Sequence, residues 1–421
     1  MMDHVSWIEY IAAALFFLAL IHTFSAKYFV KLAQRESRHA GAWLMLGEVE
    51  VVFGFWAFIL LGFMAVVNGY EKAVEYMDTR DFTEPLFVFV ILVIAGTRPI
   101  LQAAQLLIDL LAKVIPLPGT ITYYFLTLTV VPLLGSFITE PAAMTLAAII
   151  LRDRYFSKKI PETMKYLTIA VLFVNVSIGG VLTSYAAPPV LMVASKWGWG
   201  MDFMLMTFGW KAALAVSVNA LIASWVFRKI LVGMDDLKDD YEIGRVPPLV
   251  MLIHMTTLVL VVIFSHHPFV FMGFFLFFLG FTEAYHRYQS PLMFREGLLV
   301  AFFLAGLVVL GGMQKWWLSP ILSGLDSHTL FGGATLLTAI TDNAALTYLG
   351  SLVDGLSDAS KYALVAGAIT GGGLTVIANA PNPVCFSLLK NHFEHQSINP
   401  LMLFLYALPP TIIAACSFLL L

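Results

Sequence analysis

Ten apolar runs divide this 421-residue chain, and their length limits what it can become. They lie at Trp7 to Phe24, Leu44 to Val67, Pro85 to Leu101, Tyr166 to Ala194, Phe203 to Phe227, Leu249 to Phe264, Pro268 to Glu283, Glu296 to Met313, Tyr362 to Leu389 and Pro400 to Leu421. Most approach the ~20 residues that a helix needs to cross the hydrocarbon core, and the shorter ones sit near the lower limit of ~17. With 60% hydrophobic and 12% charged residues and a mean hydropathy of +0.85, the chain has too little polar surface for a soluble globule. The reading is an integral membrane protein, in the plasma membrane, which is the inner membrane if the source is bacterial. Asp3 and Glu9 stand where a signal peptide would be basic, so the first run reads as a retained helix. Cys385 and Cys416 both fall in apolar runs, which supports neither a disulfide framework nor a zinc site. A net charge of −3 gives no ground for a nucleic-acid partner; membrane lipid is the expected one.

Two phrases occur twice, in the same order. Ile138-Thr-Glu-Pro-Ala-Ala-Met-Thr145 returns as Ile340-Thr-Asp-Asn-Ala-Ala-Leu-Thr347, and Gly179-Gly-Val-Leu-Thr-Ser-Tyr-Ala-Ala-Pro-Pro189 as Gly371-Gly-Gly-Leu-Thr-Val-Ile-Ala-Asn-Ala-Pro381. Apolar segments interrupted by Gly and Pro at matching places in two halves are the sequence signature of a secondary transporter. Gly179, Gly180, Pro188 and Pro189 are expected to interrupt one spanning helix, and Gly371, Gly372, Gly373 and Pro381 another. Proline removes a donor and glycine adds backbone freedom, which releases carbonyls and amides toward a ligand.

Basic residues fall in alternate loops. One set holds Lys27, Lys31, Arg35 and Arg38, then Arg152, Arg154, Lys158, Lys159 and Lys165, then Arg228, Lys229, Lys238 and Arg245, then Arg287, Arg295 and Lys390. The opposite loops hold only Lys72, Arg80, Lys196, Lys315 and Lys361. The positive-inside rule makes the first set cytoplasmic and the amino terminus external. Residues 119–151 must then enter and return from the cytoplasmic side as a re-entrant hairpin, and residues 318–356 from outside. The expected fold is all-α and polytopic: an inverted repeat of about 10 spanning helices plus two re-entrant hairpins, with two broken helices. Residues 1–228 form the first repeat, 229–248 a cytoplasmic linker bearing Asp235, Asp236, Asp239, Asp240 and Glu242, and 249–421 the second repeat. Gln102, Gln105, Asp109 and Lys113 recur at helical spacing, which fits either an amphipathic helix along the interface or an extension of the third span.

Glu140 and Asp342 occupy equivalent positions at the two hairpin tips. An ionisable side chain within a bilayer costs ~2.5 kcal/mol or more on insertion scales, so it calls for a function. A carboxylate there binds an alkali cation or a proton, and the two occupancies compete, which is the minimum requirement for cation/proton exchange. Capping of a half-helix by the same carboxylates is the structural alternative. Thr139, Thr145, Thr183, Ser184, Thr341, Asn343, Thr347, Thr375 and Asn379 supply neutral oxygens around these segments for Na+ or a substrate. Lys211, early in its span, is a candidate charge partner, with snorkelling to the interface as the alternative. No Walker A lysine motif, His-Glu-x-x-His or Gly-x-Ser-x-Gly occurs, so neither ATP-driven transport nor an enzyme is supported, and no cofactor beyond the transported Na+ and H+ is expected.

These residues resemble the ion transporter superfamily, which includes divalent anion/sodium symporters, arsenite pumps and several Na+/H+ antiporters. Its members pair two hairpins with two broken helices, with a break of the form Gly-Gly-x-x-Thr-x-x-Ala/Gly-x-x-Ala/Pro-Asn. Gly371 to Asn382 matches that break throughout, and Gly179 to Pro189 all but its final Asn. The phrase Gly135-Ser-Phe-Ile-Thr-Glu-Pro-Ala-Ala-Met-Thr145 is most similar to the putative Na+/H+ antiporter family. The resemblance implies a scaffold and a transport domain, a homodimer and an elevator-like shift. The tips depart from the anion symporters, which carry neutral residues where this chain has Glu140 and Asp342. Fixed negative charge opposes a dianion and favours a cation. Na+/H+ antiport is therefore the expected activity, with sodium-coupled organic-anion symport as the alternative.

Overall fold

The computed structural model describes residues 6–35, 38–234 and 246–421. The acidic residues of the expected linker lie outside the described residues. Everything described is helix, turn or irregular segment, with no strand among the described residues. Among the described residues, seven helices are long and apolar enough to cross a bilayer, or eight if the bent pair Thr83–Ala95 and Arg98–Val114 is one span. The difference from ten has a local cause. Pro248–Ile263 and Pro268–Ala284 are apolar but short, and the run Tyr362 to Leu389 is split into Asp358–Gly371 and Asn382–Leu389. The helix Gly119–Ile138, expected as a hairpin arm, is one of the seven by length and composition. The bent pair turns by 65° at Gly96–Thr97, which removes a straight extension of the third run as the account of residues 102–113. On the second helix of that pair, Asp109 accepts from Gln105 Nε2 at 2.9 Å and from the Tyr123 hydroxyl at 3.0 Å.

The chain forms two compact units, and each draws on both halves of the sequence. The first comprises Met1–Val90, Phe294–Leu325 and Tyr348–Ser357. Its central crossing joins Val49–Asn68 to Phe294–Gly311. A methyl group on Gly306 would run into the backbone of Phe53 and Gly54, and one on Gly54 into the Phe302 ring. Two apolar helices gain nothing by hiding from lipid that is equally apolar, so close backbone approach through small residues supplies the attraction. Phe53 then stacks edge-on against Phe16 and Phe303, with ring centroids 5.6 and 5.2 Å away. The Tyr76 and Tyr348 hydroxyls donate to the carbonyls of Val309 and Val308, at 2.6 and 3.2 Å. These belong to the last turn of Phe294–Gly311, where carbonyls run short of intrahelical donors.

The second unit comprises Ile91–Met293, Asp326–Thr347 and Asp358–Leu421. At its centre is Glu162–Gly179, with 83% of its most apolar window buried. Asn175 on that helix donates to the carbonyls of Leu128 (2.7 Å) and Val216 (3.1 Å). Its own oxygen accepts from Asn219 Nδ2 at 2.9 Å, and the same Asn219 nitrogen reaches the Pro410 carbonyl at 3.3 Å. One amide pair therefore ties together Gly119–Ile138, Glu162–Gly179, Trp210–Val226 and Pro400–Leu420.

The Gly306 crossing predicts a contrast within the first unit. Gly306→Ala forces two backbones apart and should destabilise by about 1–3 kcal/mol, the range for overpacking. Gly62→Ala, with open space around its Cβ position, should be neutral or stabilising through helix propensity. Melting of the detergent-solubilised variants checks this; equal melting temperatures would show that the crossing does not hold the unit.

Candidate functional site

The first repeated phrase folds as a helical hairpin. Gly119–Ile138 and Glu140–Leu151 are joined by Thr139 alone, and a Cβ at Gly135 would sit 3.3 Å from that of Ala143. Thr139 has φ 72° and ψ 152°, a region that only glycine enters freely. A β-branched residue held there costs of order 1–3 kcal/mol. Its hydroxyl is buried and has no partner within the chain.

The second phrase folds differently in detail. Ser327–Thr338 and Asn343–Ser351 flank a short loop, and Asp342 lies in that loop, half-buried. Its Oδ1 accepts the backbone N–H groups of Ala344 (2.8 Å) and Ala345 (3.1 Å), as an N-cap does. Glu140, by contrast, is wholly buried. The two matched carboxylates thus differ: one caps a helix and the other is sealed in the core. At the second tip the fully buried side chain is Asn343, whose Oδ1 and Nδ2 both lack partners in the chain. Its backbone N–H donates to the Ala378 carbonyl at 3.2 Å.

Both apolar runs that contain the second phrase break as helices. The first stops at Gly179, passes through a short 3-10 turn to Leu182, and resumes at Pro188. The second stops at Gly371 and resumes at Asn382. Glycine serves close approach here rather than conformational freedom, because none of Gly179, Gly180, Gly371, Gly372 and Gly373 has a positive φ. A Cβ on Gly179 would lie 2.7 Å from the Pro132 carbonyl oxygen, and one on Gly371 would strike that of Thr335. Each break thus lies against the first arm of its own hairpin. Thr183 donates to the Ser136 carbonyl (2.6 Å) and Thr375 to the Ala339 carbonyl (2.8 Å), so these threonines brace the breaks in matching ways. Gly372 and Gly373 press against Ser177 and Val174, where the two broken segments cross.

Several expected ligands have their hydroxyl protons committed locally. Thr145 donates to Pro141 (2.8 Å), Thr341 to Leu337 (2.8 Å), and Thr347 to Asn343 and Ala344 (3.3 and 3.2 Å). Ser184 is half-buried within the first break, and Pro188, Pro189 and Pro381 stand at or just before the resumed helices. Lys211 donates to the Tyr362 hydroxyl at 2.9 Å, which in turn donates to the Phe418 carbonyl at 2.7 Å, so its partner is a phenol rather than a carboxylate. Three residues not expected from sequence shape the site. Ser136 donates to Gly179 O (2.7 Å) and accepts from Leu182 N (2.9 Å). Ser177 donates to Ile369 O at 2.7 Å. Asn382 Nδ2 holds the carbonyls of Gly372 and Thr375, at 2.9 and 2.8 Å. The signal for Asn382 is its lack of a counterpart in the first copy, where Val190 stands.

All of this converges on Glu140. Its Oε2 accepts from Asn379 Nδ2 of the second break at 2.8 Å. Its Oε1 faces the first break, where a Cβ on Gly180 would lie 2.6 Å away. Glu140 Oε1, Thr139 Oγ1, Asn343 Oδ1 and Asn379 Oδ1 are buried oxygens without partners in the chain. Burying one such group unpaired costs about 1–3 kcal/mol, and each tip and the second break leave at least one in that state. Hard oxygens, one of them anionic, suit an alkali cation or a proton. No group of three or more His, Cys, Asp or Glu side chains able to hold a metal occurs among the described residues.

The fold and its apolar helices define a polytopic α-helical membrane protein. Within that class, the chain belongs to the family described as Putative Na+/H+ antiporter, whose sequence model matches residues 7–421. No curated protein matches it.

The strain at Thr139 gives a test independent of transport. Thr139→Gly should raise the melting temperature, by the relief of about 1–3 kcal/mol, whereas Thr139→Ala should not. Equal losses in both variants would show instead that the hydroxyl anchors the tip.

Proposed function

We propose that the protein exchanges Na+ for H+, with Glu140 as the group that carries one or the other. The observation that carries this reading is a fully buried carboxylate with one oxygen fixed by Asn379 and the other without a partner in the chain. An ionised carboxylate so placed is costly unless a cation or a proton compensates it, and the compensators exclude each other by charge. A dianionic substrate would have to approach this carboxylate at like-charge cost, which disfavours the organic-anion symporter. Thr139, Asn343 and Asn379 supply the remaining oxygens. Asp342 acts as the cap of the second tip and adds negative field, a secondary role compared with that of Glu140. Membership of an antiporter family supports the exchange of cation for proton. Alternating access would follow the elevator-like shift implied by the resemblance, with the second unit as the moving body, in a homodimer with the amino terminus outside.

The reading is checked in proteoliposomes carrying an imposed pH gradient. Added Na+ or Li+ should dissipate the gradient with the wild type and fail to do so with Glu140→Gln. Asp342→Asn should keep exchange with weakened Na+ affinity, by a few-fold. Full cation-dependent proton movement in Glu140→Gln would end the carboxylate mechanism. Na+-stimulated uptake of a labelled dicarboxylate, insensitive to both changes, would establish symport instead.

A further inference from the structure

Ser136 lies in the last turn of the helix that leads to Glu140, and it is bonded to the first break at three points. The side chain is fully buried. Its Oγ donates to the Gly179 carbonyl at 2.7 Å and accepts from the Leu182 N–H at 2.9 Å, while its own carbonyl accepts from the Thr183 hydroxyl at 2.6 Å. Each carbonyl bond has a local reason. Gly179 closes one helix and Ser136 lies near the end of another, and carbonyls at such ends have no intrahelical donor. A serine hydroxyl carries a single proton, and here a backbone carbonyl holds it. The three bonds together tie residues 179–183 to the arm of the hairpin.

Gly180 lies between these anchors, and it is the residue of the break that meets Glu140. A Cβ there would lie 2.6 Å from Oε1 and 2.8 Å from Cγ of that side chain. Oε1 is buried without a partner in the chain, so the Gly180 backbone bounds one side of whatever Oε1 holds. The second copy shows that a broken helix can form without such a clamp. The position equivalent to Ser136 is Thr338, fully buried, with a hydroxyl that has no partner in the chain. There Asn382 Nδ2 fastens the break from within its own segment, on the carbonyls of Gly372 and Thr375. The serine clamp thus belongs to the break that faces the buried carboxylate. We propose that Ser136 is a positioning residue that sets the spacing between Gly180 and Glu140, and thereby which alkali cation the site accepts. This rests on the reading of Glu140 as the group that holds the cation. Cations of similar chemistry are told apart by cavity size, ligand number and rigidity. Ser136 supplies the rigidity, because without its hydroxyl Gly179 and Leu182 lose their ties to the arm that leads to Glu140.

The test uses the full-length protein in proteoliposomes with an imposed pH gradient, and Na+ and Li+ as probes. Ser136→Ala should raise the apparent KM for Na+ about ten-fold or more, the scale on which loss of an outer partner weakens a metal site, with a smaller change in maximal rate. The ratio of the Li+ and Na+ KM values should shift by several-fold, a change that a general loss of stability does not produce. Ser136→Thr places the second copy's residue at the same point, keeps the hydroxyl and should return KM and the ratio toward wild type. Where Ser136→Ala does not fold, Thr183→Val removes one of the three bonds at nearly equal size and should shift the same ratio. Wild-type KM and ratio in Ser136→Ala, or in Thr183→Val where that variant decides, would overturn the proposal. So would a ratio that holds while both KM values rise alike, or equal shifts in Ser136→Ala and Ser136→Thr, which would leave packing as the cause. Each of these results, with Glu140→Gln inactive, keeps the exchange reading intact; full exchange by Glu140→Gln removes that reading whatever the Ser136 variants show.

Discussion

A carboxylate buried at the heart of a membrane protein must be supported from several directions at once, and the surroundings of Glu140 are organised to meet that demand. One oxygen is fixed by an amide from the second broken segment, and the other faces the backbone of the first at Gly180. That arrangement requires the hairpin tip to turn in a single residue, which places Thr139 in a conformation that costs energy. It also requires both helices to break where they pass the tip. The glycines of those breaks are needed because backbones and polar side chains come too close for a Cβ, and the threonines because each break must be tied to its hairpin.

The second unit supplies the rigidity that such a site needs. Glu162–Gly179 is mostly buried, and the Asn175–Asn219 pair joins four helices, this one included, largely through side-chain bonds to backbone carbonyls. Individual hydrogen bonds between helices in a bilayer average only ~0.6 kcal/mol. Their value here lies in register: the two crossing broken segments are held so that Gly372 meets Ser177 and Asn379 reaches Glu140.

The repeated phrases make the tips and the breaks legible from the amino-acid sequence, because Gly/Pro punctuation inside apolar segments has few other uses. Depth is not legible there. Glu140 and Asp342 look alike in sequence, yet one is wholly enclosed and the other caps a helix, a difference set by the packing around the second loop. Thr183 and Thr375 read as ligands because a hydroxyl in an apolar run has no visible partner; the partner is a carbonyl on a distant hairpin. Ser136, Ser177, Asn175 and Asn219 are scattered through apolar runs, with nothing in their spacing to mark them. The compact units cannot be read from the order of the spans, since each gathers segments from both halves of the chain.

The proton released when purified protein binds Na+ reports directly on the exchange at Glu140. Isothermal titration in two buffers that differ in ionisation enthalpy separates that proton from the heat of binding. Na+ binding should expel a proton near the pH at which the site is half protonated, and Glu140→Gln should abolish the release. Na+ binding with no accompanying proton, or with the same release in Glu140→Gln, would contradict exchange at that carboxylate.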